Sequence, residues 1–172
     1  LDPIQVDRQL DNNFRNNYTI MQKPSFSFSY LGFNLKNGKF KDIRIRQALS
    51  LAIDRQELVD ILFFGYGKVC NGPFLPNSFA YNEDIKTITQ DIIKAKELLK
   101  EAGYDENHPF SFEVVTNTGN DIRINAALIL QYQLQKAGIK MNIRVMEWQA
   151  FLNTVVHPRN FEAVLLGWSM AL

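Results

Sequence analysis

The chain has 172 residues, of which 46% are hydrophobic and 22% are charged, a composition typical of a folded domain with a buried core. Its 19 Lys and Arg residues nearly balance its 18 Asp and Glu residues. That balance disfavours a nucleic-acid-binding protein, because such proteins use excess positive charge to bind phosphates. The single cysteine, Cys70, excludes an internal disulfide. No apolar run reaches the ~18 residues of a membrane-spanning helix. The start, "LDPIQVDRQL", lacks the pattern of a signal peptide and is typical of the middle of a longer chain.

The segment "SFSFSYLGFNL" predicts the first strand. Phe26, Phe28 and Tyr30 alternate with serines, which is the period of a strand. Pro24 stands just before this segment, at a position where a strand can begin.

Two consecutive helices are predicted next, over 42–52 and 55–63, because apolar residues recur there at helical spacing. Asp54 and Glu57 resemble a capping box that starts the second helix. The proline-containing stretch 71–84 predicts an irregular connection.

The second half of the chain alternates between helical and strand patterns, and its last apolar run, 163–166, predicts a central strand covered on both faces. The expected elements are a helix between the cap Asp91 and Gly103, a strand over 110–115, a helix from its cap Asp121 to Lys136, a strand over 139–146, a helix over 147–156 and a strand over 161–168. This order requires βαβ crossovers and predicts an α/β layered domain.

The sequence lacks the motifs of the common catalytic sites. It contains no glycine-rich phosphate loop, no Ser, Cys or Thr in a nucleophile motif, and no His pair with the spacing of metal ligands. We therefore predict no catalytic residue, no metal site and no cofactor.

Two places favour a ligand-binding role. The loop "VTNTGND", 115–121, follows a strand and opens a helix, where α/β proteins often bind ligands, and Asn117, Thr118 and Asn120 offer hydrogen bonds. The alternative is an ordinary polar turn. Gly167 and Trp168 lie at the carboxyl end of the last strand, where glycine allows close approach and tryptophan supplies a broad contact surface. The alternative is a tryptophan that belongs to the core.

Four segments together resemble the extracellular solute-binding proteins of family 5, the peptide- and nickel-binding components of ATP-binding-cassette (ABC) importers. "YLGFNLKNGKFKDIRIRQALSLAIDRQELVDILFFGYG" is similar to the family's aromatic strand followed by F-x-D-x-R-x-R-x-A-L and A-I-D-R. "DIIKAKELLKEAGY" resembles A-K-x-L-L-x-E-A-G-Y, "LQKAGIKMNI" resembles L-x-x-x-G-I, and "FEAVLLGWSMAL" resembles the family's Gly-Trp strand. The ordered set covers most of 28–172.

The resemblance implies a mixed β-sheet flanked by helices, one lobe of a type II periplasmic binding protein. It implies that 1–25 leaves a missing first lobe, and that 26–172 is the second lobe, truncated at its end. It also implies that Gly167, Trp168 and Ser169 face the interlobe cleft. Peptide-binding members often carry an Asp three residues after the Trp, which pairs with the peptide's α-amino group. The residue here is Ala171, which lacks the carboxylate of that anchor.

We therefore expect a non-catalytic lobe that binds an oligopeptide, a dipeptide or a nickel chelate for delivery to the membrane subunits of an ABC importer. The resemblance implies a periplasmic or extracellular location, with a lipoprotein anchor in the full-length protein. The alternative is a sensor or interaction module that docks a regulatory or membrane partner through the same lobe. An α/β enzyme is the least favoured class, because no catalytic motif is present.

Overall fold

The computed structural model describes residues 3–21, 25–76 and 78–169, and these are organised around a four-stranded sheet. The strands are β1 (Ser27–Phe33), β2 (Ser111–Asn117), β3 (Lys140–Met146) and β4 (Ala163–Ser169). Their order across the sheet is β1-β4-β2-β3. Strand β2 pairs in parallel with both β3 and β4, whereas β1 is antiparallel to β4. The mixed sheet that was expected is therefore present.

Helices join and cover the strands in the predicted alternation. They are α1 (Pro3–Arg8), α2 (Asn12–Asn17), α3 (Ile43–Ala52), α4 (Arg55–Phe63), α5 (Ile92–Glu101), α6 (Asp121–Lys136) and α7 (Trp148–Phe151). Among the described residues, no helix is long and apolar enough to cross a membrane.

Strand β4 lies inside the sheet with a hydrophobic core on each face. Because successive side chains of a strand point to opposite faces, Ala163 and Leu165 pack in one core, while Val164 and Leu166 pack in the other. All four side chains are buried. The apolar run therefore forms the central strand that was predicted.

The boundary between β2 and α6 differs from the prediction in two ways. Strand β2 continues to Asn117, because the Thr116 hydroxyl donates to the Leu165 carbonyl (3.0 Å) and β2 remains paired with β3 to its last residue. The predicted loop 115–121 is therefore reduced to 118–120. The cap of α6 is Asn120, whose side chain accepts the Arg123 backbone N–H at 2.9 Å, and Asp121 is the first helical residue.

The helix predicted over 147–156 is present, but its hydrogen bonding changes halfway. Helix α7 continues as a π-helical turn, Leu152–Val156, that ends when the His157 N–H donates to the Leu152 carbonyl at 2.9 Å. Phe151 and Val155 are buried on one side of this helix, whereas Trp148 at its start is 39% exposed.

The predicted capping box at α4 is half right. Asp54 accepts the Glu57 backbone N–H at 3.0 Å, as a cap should. The Glu57 carboxylate does not return to the Asp54 N–H, however. It accepts a hydrogen bond from Gln133 Nε2 (2.6 Å), and the Asp54 N–H donates to Gln133 Oε1 (3.1 Å). Gln133 is fully buried and so links α4 to α6.

The first segment of the chain contains two short helices that the sequence did not predict. Asp11 caps α2 by accepting the Phe14 N–H at 2.7 Å. The guanidinium of Arg8 lies 5.5 Å from the centre of the Phe64 ring, which places α1 beside the end of α4. Two residues that the sequence singled out, Pro24 and Ala171, lie outside the described residues.

The Gln133 link predicts a large loss of stability when its amide is removed. Gln133→Leu leaves the Asp54 N–H and carbonyl without their buried partners, and we expect the free energy of unfolding to fall by about 2–4 kcal/mol. Urea unfolding measures this loss. Gln135→Leu makes the same chemical change at an exposed position of α6 and should stay within about 0.5 kcal/mol of the parent chain. Equal effects of the two substitutions would contradict the assigned role of Gln133.

Candidate functional site

The residues that the sequence selected meet at one edge of the sheet. Strands β2 and β4 are parallel neighbours, so their carboxyl ends lie side by side. Asn117 ends β2, Thr118 follows it, and Gly167, Trp168 and Ser169 end β4. This edge of the sheet is referred to below as the carboxyl edge.

Trp168 presents most of its side chain at this edge. The residue is 61% exposed, so it is not a core tryptophan. It lies directly opposite Phe28 on the antiparallel strand β1, and cross-strand partners share one face of a sheet. The Phe28 ring is in turn 6.0 Å from that of Tyr30. The three aromatic residues give the carboxyl edge a broad apolar surface.

Asn117 is only 6% exposed, and its amide binds other groups of the chain. Its Oδ1 accepts from Arg123 Nη1 at 2.6 Å, and its Nδ2 donates to the Thr118 carbonyl at 2.7 Å. In this arrangement the Asn117 side chain orients Arg123. Thr118 and Ser169 are exposed, and Ser169 pairs with Ser27 across the sheet.

Arg123 is the residue of this edge that sequence reasoning missed. It is the third residue of α6, and its side chain is half-buried. Burial lowers the pKa of its guanidinium, and the nearby Tyr30 partly opposes that shift. A signal was available in the sequence, because a cation in the first turn of a helix is opposed by the helix dipole and suggests another role.

The carboxyl edge combines three kinds of contact with a ligand. The aromatic rings offer apolar surface, the exposed hydroxyls offer hydrogen bonds, and Arg123 offers a positive charge. Within the described part of the chain, no group of three His, Cys, Asp or Glu residues could hold a metal ion. This set of groups suits the binding of a solute.

A cavity of about 390 Å³ lies at the opposite end of the sheet, away from the predicted residues. The two ion pairs in and beside its wall are Glu113 with Arg144 (3.0 Å) and Lys39 with Glu162 (2.6 Å). The cavity is also lined by Lys36 and Arg159, which form no ion pair among the described residues, so it too presents positive charge. The carboxyl edge differs from it by the exposed ring of Trp168.

Comparison with known proteins identifies the class. The family model "Bacterial extracellular solute-binding proteins, family 5 Middle" matches residues 2–172. The oligopeptide-binding protein AppA of Bacillus subtilis is 36% identical over 169 aligned residues, which cover 91% of this chain and 31% of AppA. Di/tripeptide-binding protein 3 of Pseudomonas aeruginosa is 30% identical over 155 residues, with 89% of this chain and 29% of that protein covered.

Comparison with solved structures points to the same class of protein. The structure of AppA in complex with a nonapeptide superposes with a TM-score of 0.77, over 85% of this chain and 32% of that one. NikA from Staphylococcus aureus, in complex with Ni(L-His)2, is 27% identical and gives a TM-score of 0.79, over 96% of this chain and 34% of that one.

The chain belongs to the bacterial extracellular solute-binding proteins of family 5, and it has the fold of one lobe of a type II periplasmic binding protein. Both predictions from the sequence motifs are confirmed. The chain spans roughly a third of the length of the relatives that it matches.

The exposure of Trp168 predicts a small effect on stability. Because the ring is mostly in solvent, Trp168→Ala should lower the free energy of unfolding by about 1 kcal/mol or less. Phe151→Ala, at a fully buried aromatic position, should cost about 3–5 kcal/mol. Urea unfolding of both variants checks the difference. If Trp168→Ala lowers the free energy of unfolding as much as Phe151→Ala does, the Trp168 ring packs in the core and the assignment is wrong.

Proposed function

We propose that the chain is the ligand-binding lobe of an extracytoplasmic receptor that delivers a peptide or a related small solute to an ABC importer. The observation that carries the proposal is that one edge of a family-5 fold holds both the exposed Trp168 ring and the half-buried Arg123, which lies beside the neighbouring residue Gly167. The lobe binds its ligand and catalyses no reaction.

The ligand class follows from the groups at the carboxyl edge together with the relatives. AppA is named as an oligopeptide-binding protein, and the NikA structure contains Ni(L-His)2. Peptides and amino-acid chelates both carry apolar groups, amides and carboxylates, for which the aromatic surface and Arg123 are suited. Gly167, Trp168, Ser169 and Thr118 are the proposed ligand-binding residues, and Asn117, whose amide is buried, contributes by orienting Arg123.

Ligand is enclosed between this lobe and another part of the same protein. In this proposal, 1–25 leads out of a first lobe and 26–172 is the second lobe. One lobe covers only about half of a ligand, whereas binding pockets normally bury ~70% or more of its surface. Closure of the two lobes about a hinge completes the site. The closed receptor docks on the importer's membrane subunits, and a lipoprotein anchor holds it at the membrane.

Binding measurements on the full-length protein that contains this chain test the proposal. Calorimetry with dipeptides, oligopeptides and Ni(L-His)2 should identify a ligand with an affinity of about micromolar or tighter. Trp168→Ala should weaken the binding of that ligand by about 1–3 kcal/mol, the scale of a large apolar contact. Tyr132→Ala is the matched control, because Tyr132 is equally exposed (61%) but lies three turns along α6.

Two results would count against this function. The first is an absence of binding across the whole panel. The second is an equal loss of affinity in the Trp168 and Tyr132 variants, which would mean that the ligand does not bind at the carboxyl edge.

A further inference from the structure

The connection between α4 and α5, called here the α4–α5 loop, exposes several large apolar side chains. Residues 64–76 and 78–91 of this loop are described, and the exposed large apolar side chains among them are Tyr66, Phe74, Phe79, Ile85 and Ile88. Phe79 is fully exposed and Phe74 is 52% exposed. Single exposed apolar residues are normal on a protein surface, whereas a concentration of them in one segment is typical of an interaction surface.

The α4–α5 loop has a defined shape, so it presents these side chains in fixed positions. Leu75 is buried and anchors the middle of the loop. Asn71 Nδ2 donates to the Ile85 carbonyl at 3.1 Å, which closes the loop on itself. Arg55 Nη1 donates to the Ile88 carbonyl at 3.3 Å, which ties the end of the loop to the start of α4. Compact loops that are closed by their own contacts are frequently functional.

The segment that leads out of the proposed first lobe lies beside the start of this loop. The Arg8 guanidinium of α1 is 5.5 Å from the centre of the Phe64 ring, and Phe64 begins the loop in a left-handed conformation. Arg15 holds α1 to α2, because its Nη2 donates to the Val6 carbonyl at 2.6 Å and its Nε donates to the Leu10 carbonyl at 3.0 Å. In the proposed receptor, the first lobe therefore reaches this chain next to the α4–α5 loop.

Composition and length favour the rest of the same polypeptide as the partner of this loop. Residues 70–82 include no Asp, Glu, Lys or Arg. The core of a protein interface is depleted of charged residues, and permanent interfaces are the most apolar. A surface for anionic lipids would instead require Lys and Arg. Since this chain covers 31% of AppA and 34% of the NikA structure, a receptor of that size has ample further surface for a permanent contact.

We infer that the α4–α5 loop is a permanent docking surface for the first lobe of the same protein, and that Phe74 and Phe79 enter the contact. The inference rests on the proposed function, because it requires a two-lobed receptor. It adds a contact between the lobes that is made by residues other than those of the carboxyl edge and that does not depend on solute.

Thiol labelling of the full-length protein tests this inference. Cys70 and any other free cysteine are first replaced by serine, and a single thiol is then introduced by Phe79→Cys or by Ile93→Cys. Ile93 is the matched control, because it is an apolar residue of α5 that is 75% exposed. A maleimide should label Phe79→Cys roughly 10-fold or more slowly than Ile93→Cys, because a thiol in a packed contact reacts only when the contact opens. In urea the two variants should be labelled at the same rate.

Three labelling results would overturn the inference. The first is equal labelling of the two variants in the folded protein. The second is slow labelling of Phe79→Cys that is lost when the protein is diluted, because a contact between two copies depends on concentration. The third is slow labelling that requires the importer's membrane subunits, because the loop would then dock on the importer.

Thermal unfolding of the full-length protein gives a second readout. Phe79→Ser should lower the melting temperature, because it places a hydroxyl in an apolar contact. Ile93→Ser should leave the melting temperature nearly unchanged, because that side chain stays in solvent. Equal melting temperatures of the two variants would contradict the inference.

Neither measurement uses a solute, so the inference and the proposed function can fail separately. Fast labelling of Phe79→Cys in a receptor that binds peptides would refute the docking surface and leave the proposed function intact. An absence of binding by every peptide and by Ni(L-His)2 would instead count against the proposed function.

Discussion

The parallel pairing of β2 with β4 fixes where every residue of the candidate site lies. The two strands are separated by α6, β3 and α7 in the chain, yet they are hydrogen-bonded neighbours in the middle of the sheet. Their carboxyl ends therefore meet at one edge, as the ends of parallel neighbours must. The buried hydrogen bond from the Thr116 hydroxyl to the Leu165 carbonyl joins the two strands close to that edge. Without this pairing, Asn117 and Trp168 would be unrelated in space.

The edge also depends on what α6 places against it. Asn120 caps this helix, and Gln133 fixes its other half to α4 through buried hydrogen bonds. The position of Arg123 is therefore set by contacts at both ends of the helix. The carboxyl edge joins a rigid sheet, an anchored helix and an exposed aromatic ring. Such preformed surfaces are suited to binding, because little conformational freedom remains to be lost when a ligand arrives.

Much of the fold could be predicted because local patterns determine it. The apolar spacing of α5, with Asp91 as its cap and Gly103 in a left-handed conformation after it, is readable without any tertiary contact. The central position of β4 follows from its unbroken apolar run. Helices α1 and α2 were missed, because they are only 6 residues long and have no sustained apolar stripe. The cap of α6 was misplaced by one residue, because Asn120 and Asp121 are both good cap residues.

The site could be predicted only in part for a related reason. Trp168 and Gly167 stand out in the sequence, since glycine and tryptophan have distinctive physical roles at the end of a strand. Arg123 and Gln133 derive their importance from contacts with residues far away in the chain. Gln133, for example, bonds with Asp54 across 79 positions. No periodicity or motif marks such partners, and only the folded arrangement brings them together.

The measurement that tests this account most directly is the structure of the full-length protein with its solute bound. The account predicts ligand atoms in van der Waals contact with the Trp168 ring, at the carboxyl ends of β2 and β4. A ligand bound instead in the cavity at the opposite end of the sheet, beside Asn34 and Arg159, would contradict it.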